Sequence, residues 1–220
     1  MKKELKGEDP LKVIGRSRGY SKEELTSTIH RHKNFSPVLI KQINELPEVI
    51  LRNSGNLLAK KINHMMREIF TEVYRAKQFT RTEINNRGVL YGVVFLKHHV
   101  IDMVLNYFHE RWPNCIICLF NGNSQETGII NEEGIVKIKK SSLKKIVEDV
   151  SNSRPIMPYF NDIQFSGKKI FEILYKSQFI SKRENRFYFK RMIPKHCYEL
   201  PGMRNGIEKN FRNKKIEKFI

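Results

Sequence analysis

The chain has 220 residues and a mass of 26.1 kDa, with 41 Lys and Arg against 23 Asp and Glu, a formal net charge of +18. Hydrophobic residues at 40% supply the apolar area that offsets the entropy of folding, which excludes a disordered chain, and this length needs no disulfide or metal staple. No apolar run approaches a membrane span, no signal-peptide core follows Met1-Lys2-Lys3-Glu4, and three cysteines make no disulfide framework. The expectation is a cytoplasmic protein with a polyanionic partner and no membrane contact.

Gly15-Arg16-Ser17-Arg18-Gly19 reads as a basic loop, after which Ser21 and Glu24 have the spacing of a capping box opening a helix toward Lys33. Ser36-Pro37 starts a second, short helix that ends before Pro47. Leu57, Leu58, Ile62, Met65, Met66, Ile69, Phe70 and Val73 recur at three-and-four spacing and predict a long amphipathic helix from about Gly55 to Lys77.

From Phe79 the pattern is extended: Phe79–Ile84, the turn Asn85-Asn86-Arg87-Gly88, then Val89–Leu96, together a hairpin signal. Ile101, Val104, Leu105 and Phe108 restore the helical period over Val100–Trp112, and Pro113 stops it. Cys115–Phe120, Gly128–Ile130 and Ile135–Ile138, parted by Asn- and Gly-rich turns, predict an antiparallel meander, so that the middle of the chain is a small mixed sheet with one crossing helix. Ser142–Val150 reads as a short helix. Arg154-Pro155-Ile156-Met157-Pro158 is a stiff connector and the best boundary, separating residues 1–153 from 154–220, although one compact unit is the default. Lys168–Ser177, Lys182–Met192 and Asn205–Lys215 have helical composition. The fold class is α+β: N-terminal helices, a small mostly antiparallel sheet and a basic helical C-terminal region.

Between Lys168 and Ile220 the chain carries 15 Lys and Arg against 5 Asp and Glu, so the positive charge is concentrated at that end. Its densest constellation is Arg183-Glu184-Asn185-Arg186-Phe187-Tyr188-Phe189-Lys190-Arg191. Cations there can neutralise phosphates while rings stack bases; the plainer reading is an amphipathic helix with its rings in the core and its cations merely solvated, and the expectation is rings mostly in the core with cations as phosphate contacts. Arg183, Arg186, Lys190, Arg191 and Lys195 are the expected phosphate contacts. Leu200-Pro201-Gly202-Met203-Arg204 resembles the turn of a helix-hairpin-helix module, with Gly202 and Arg204 placed at a phosphate, or is an ordinary Pro-Gly turn. Arg16 and Arg18 form an anion-nest candidate that lacks the Lys-Ser/Thr ending of a nucleotide loop, or equally a simple exposed basic turn.

Cys115 and Cys118 have knuckle spacing, but residues three apart on a strand face opposite sides, so the expectation is buried core thiols, no metal and no cofactor. Lys97-His98-His99 sits where a strand hands over to a helix, with Asp102 and His109 further along. Adjacent His side chains diverge, and no triad is legible. Lys97 is the one catalytic candidate, as an amine that could form a Schiff base with an abasic aldehyde.

Phe108-His109-Glu110-Arg111-Trp112-Pro113, the strand through Ile117 and Leu119, Glu172-Ile173-Leu174-Tyr175, Arg183 with Asn185, and Met192-Ile193-Pro194-Lys195 resemble a DNA-metabolism family of unknown function. That family is found beside radical-SAM proteins and, in some bacteria, fused to uracil-DNA glycosylase-like domains. The likeness covers roughly Val89 to Leu200. An inserted Ile193, and Asn121 near where an acidic residue is usual, mark a distant or archaeal-type member. The resemblance implies DNA repair or processing and supplies no catalytic residue. The expectation is a DNA-binding protein acting on damaged DNA, either without chemistry or by metal-independent base removal or abasic-site lysis. An RNA-binding or ribosome-associated protein is the alternative, and docking of an acidic protein partner is a third class.

Overall fold

The computed structural model describes residues 19–160 and Ile173. The chain divides into two compact units, one drawing on residues up to Gln78 and on Leu96–Val104, the other on Phe79–Phe95 and from Leu105 onward. The fold is α+β, as the patterning predicts.

The first unit is helical. Helix α1 (Lys22–Thr28) opens on the expected capping box: Ser21 Oγ accepts the Glu24 N–H at 3.2 Å, and the Glu24 carboxylate accepts the Ser21 N–H at 2.7 Å. It does not run on to Lys33 as one α-helix. A 3-10 turn over Ile29–Arg31 ends it, and His32 is already extended, its ring accepting the Asn34 N–H. Helix α2 (Pro37–Glu45) starts at Pro37 as expected. Pro47 then does more than stop a helix, because its carbonyl accepts the Ile50 and Leu51 N–H groups and opens α3 (Glu48–Asn53), a turn that the sequence pattern does not announce.

Helix α4 (Leu57–Phe79) is the long amphipathic helix, with Ile62, Met65, Met66, Ile69 and Val73 all buried. It extends through Phe79, where an extended run was expected. Adding a residue to a formed helix is cheap compared with nucleating a strand, so the strand begins only at Thr82. Asn63 is the polar member of the buried stripe. It accepts the Tyr20 N–H through Oδ1 at 3.2 Å and donates through Nδ2 to the Leu51 carbonyl at 2.6 Å and Ser54 Oγ at 3.0 Å. Gly19 approaches the same place so closely that an added Cβ would lie 2.5 Å from the Leu51 oxygen.

The second unit is built on a five-stranded sheet in the order β1 (Thr82–Ile84), β2 (Val89–Val94), β3 (Ile116–Asn121), β4 (Glu126–Ile130) and β5 (Val136–Lys139). β1 and β2 form the expected hairpin, β2 and β3 run parallel across helix α5 (Ile101–Arg111), and β3, β4 and β5 form the antiparallel meander. Helix α6 (Leu143–Asn152), capped by Ser142, packs on β2 and β3. Val89, Cys118 and Ile146 are the buried centre of that contact, with Tyr91, Ile129, Leu143 and Val150 around them.

The connector at residues 154–157 is bonded to the β1–β2 turn. Arg154 Nε donates to the Arg87 carbonyl at 3.0 Å, the Arg87 guanidinium donates to the Arg154 and Ser151 carbonyls, and the Met157 N–H donates to the Asn86 carbonyl at 2.8 Å. Gly88 closes the turn with φ +70°, a conformation that side chains rarely adopt.

Candidate functional site

Within the first unit, three stretches far apart in sequence meet around two imidazoles. His32 and His98 are both buried, and their ring centroids lie 4.4 Å apart at 34°. His32 Nδ1 accepts the Asn34 N–H at 3.1 Å, which leaves Nε2 as the protonated nitrogen facing Glu68 Oε2 at 3.0 Å. His98 Nδ1 accepts the Lys33 N–H at 3.2 Å. Helix α4 supplies both carboxylates on one face, four residues apart. Glu68 receives His32, and Glu72 accepts the Lys97 and His98 N–H groups at 2.9 and 2.8 Å, capping the turn before α5. Arg31 Nη1 reaches both Asp102 oxygens at 2.5 and 2.6 Å, and the His99 N–H donates to the Arg31 carbonyl at 2.8 Å.

The electrostatics follow from these contacts. Burial pushes the His98 imidazole down to about 4, with His32, Lys33 and Lys97 acting in the same direction and Glu68 against them. Burial also raises the Glu72 carboxyl, opposed by its two backbone donors. At Glu68 burial is outweighed by the hydrogen bond from His32 and by the neighbouring imidazoles, so its carboxyl sits below the usual value and stays ionised at neutral pH.

Glu68 opens into a cleft of about 450 Å³ lined by His32, Asn34, Ser36, Gln42, Lys61, His64 and Met65, among others. His64 Nε2 lies 3.9 Å from Glu68 Oε1, and the carboxylate is 45% exposed. The cleft therefore presents an ionised carboxylate, held from behind by a buried imidazole, to whatever enters from solvent. Such a group can accept a proton from water or stabilise a developing positive charge.

Lys97 is exposed, and its backbone, through the Glu72 cap, is the part engaged. His98 is buried and His99 exposed, so the adjacent imidazoles do diverge, and Asp102 is taken by Arg31. Cys115 and Cys118 are both buried free thiols, and burial raises both, Cys118 to about 12. Among the described residues no three His, Cys, Asp or Glu side chains converge to hold a metal ion. Arg16, Arg18, Arg183, Arg186, Lys190, Arg191, Lys195, Gly202 and Arg204 lie outside the described residues.

Sequence reasoning passed over His32, Glu68 and Glu72. The signal was present only in part: a carboxylate pair one helical turn apart on α4 is legible, whereas the approach of His32 across 36 residues is not.

Comparison with curated proteins and with solved structures found no match. The profile of a domain of unknown function, DUF4130, matches residues 31–200, a span that opens on Arg31 and contains the whole histidine and carboxylate cluster. Since that match covers most of the chain, the protein belongs to the DUF4130 family.

Proposed function

We propose that this protein binds DNA and acts in the repair or processing of damaged DNA. The observation that carries the reading is the charge: a net +18, with 15 Lys and Arg against 5 Asp and Glu between Lys168 and Ile220, is far more than solubility requires and suits a phosphate backbone. The resemblance to a DNA-metabolism family with radical-SAM neighbours and glycosylase fusions supports the same reading.

The chemistry that the cleft can serve is metal-independent base removal. Bond cleavage at a nucleoside builds positive charge on the sugar, and an ionised Glu68 stabilises that charge and takes the proton of the water that bonds to the sugar carbon, while His32 holds the carboxylate in place and the base leaves with the C–N bonding pair and takes up a proton from solvent. Abasic-site lysis through the Lys97 amine is the other metal-independent route.

The test is a binding and cleavage panel on the full chain: undamaged, uracil, mismatched, abasic and single-stranded DNA beside structured RNA, with and without EDTA. The expected result is preference for a damaged duplex, with any base release surviving EDTA. Tighter binding to structured RNA than to any DNA would replace the reading with an RNA-binding one.

A further inference from the structure

We infer that the β5 edge and the first turn of α6 form a lysine ridge that docks on the phosphate backbone of duplex DNA, an assignment that rests on the DNA-binding reading. Lys137, Lys139, Lys140, Lys144 and Lys145 are all exposed. Lys137 and Lys139 lie on the same side of the sheet as α6, which carries Lys144 and Lys145, and Lys140 stands in the bend between the two elements. The strand register runs Tyr91, Cys118, Ile129, Lys137 in a row across the sheet, and Tyr91, Cys118 and Ile129 are residues that α6 packs against. Lys137 and, two residues on, Lys139 therefore project from the face that α6 covers, at the edge strand beside it. Their partners across the ladder are Ile129 and Thr127, so no carboxylate lies directly opposite either one.

An edge strand gains from lysines because they discourage pairing with another chain, which accounts for Lys137 and Lys139 but not for the rest. Lys144 and Lys145 stand in the first turn of α6, where the helix dipole disfavours cations, and the acidic residues Glu148 and Asp149 lie further along, away from the end that would reward them. Lys144 meets Glu148 only at 3.9 Å, with side-chain exposures of 87% and 60%, a pair too solvated to explain the placement. Charge set against local stability in this way is explained by a polyanion.

The surface has the chemistry of backbone contact. Ile135 is the exposed large hydrophobic beside it, Ile138 falling on the alternate row of the strand, and among the described residues no exposed aromatic ring stands among the lysines to stack a base, which favours duplex phosphates over an unstacked strand. Lys137 and Lys139 are about 6.6 Å apart along the strand, about two axial steps of a B-form chain.

The experiment compares the 220-residue chain with a variant carrying Lys137→Gln, Lys139→Gln, Lys140→Gln, Lys144→Gln and Lys145→Gln, and with a control carrying Lys41→Gln and Lys60→Gln, exposed lysines of the other unit. Circular dichroism and Tm establish that each is folded. Affinity for an undamaged duplex is measured across a salt series. The ridge variant should bind about tenfold or more weakly at moderate salt, with a log–log salt slope shallower by about 4 to 5, while the control is unchanged. A folded ridge variant with wild-type affinity and slope overturns the ridge, as does a loss confined to single-stranded DNA or RNA. Failure of the wild type to bind any duplex overturns the DNA-binding reading itself.

Discussion

His32 and His98 stand ring against ring, 4.4 Å apart between centroids, and each accepts a backbone N–H at Nδ1. Protonating His98 there would set a second donor against the Lys33 N–H, in a buried site that Lys33 and Lys97 already make unfavourable for a cation. The fold therefore holds His98 neutral.

A pH dependence of stability follows. The folded imidazole titrates at about 4 against an ordinary 6.5, so the unfolded chain takes up the proton first as pH falls. Stability from this group is complete above pH 6.5 and is lost toward pH 4, a loss on the order of 3 kcal/mol. Glu68, held below its usual value, adds to the loss at the acid end, whereas Glu72, held above it, acts in the opposite sense. Urea midpoints between pH 7 and 4.5 should fall for the wild type and fall less for His98→Gln.

Asn63 ties the chain entering α1 to the end of α3. Asn63→Leu keeps the branching of the side chain but takes away the acceptor of the Tyr20 N–H and the donor to the Leu51 carbonyl. The expected cost is about 2–4 kcal/mol in chemical denaturation, with Asn63→Asp losing less at Tyr20 than at Leu51.

Arg87 and Arg154 bond to one another's carbonyls, and Arg154 also meets Glu132 at 2.7 Å with 9% side-chain exposure. A lysine cannot reproduce two forks at once. Arg87→Lys and Arg154→Lys should each destabilise by about 1–2 kcal/mol, and the double variant by less than the sum, with a coupling of about 1 kcal/mol in a double-mutant cycle.

The two metal-independent routes separate by trapping. Base release that borohydride does not trap, and that Glu68→Gln lowers by about 100-fold with Lys97→Ala unaffected, is the expected outcome. A covalent complex with abasic DNA that disappears in Lys97→Ala assigns the chemistry to the amine instead.

Salt should weaken DNA binding steeply in the full chain, because each neutralised phosphate releases counterions. Neutralising Arg183, Arg186 and Arg191 together, in a variant that circular dichroism shows to be folded, should reduce affinity and flatten the salt slope by about 2 to 3. Unchanged affinity in that variant would move the main contact elsewhere.

Much of the architecture was legible because its causes are local. The capping box at Ser21, Pro37 at a helix start, the apolar stripe of α4 and the Asn-Gly-rich turns each act over a few residues, so the helices, the hairpin and the meander could be read in order. The misses were local competitions. Pro47 ends one helix and opens another, and α4 propagates through Phe79 because extending a helix costs less than starting a strand.

The cluster around His32 is another matter. Composition and charge determine that the chain is basic and suited to a polyanion, since charge is a sum over residues and needs no geometry. Which imidazoles become buried, and which carboxylate is held ionised beside them, depends on His32, Glu68 and His98 being brought together across 36 and 65 or more residues. No periodicity records that approach, because burial and hydrogen bonding are set by what packs against a side chain, and only the tertiary structure decides it.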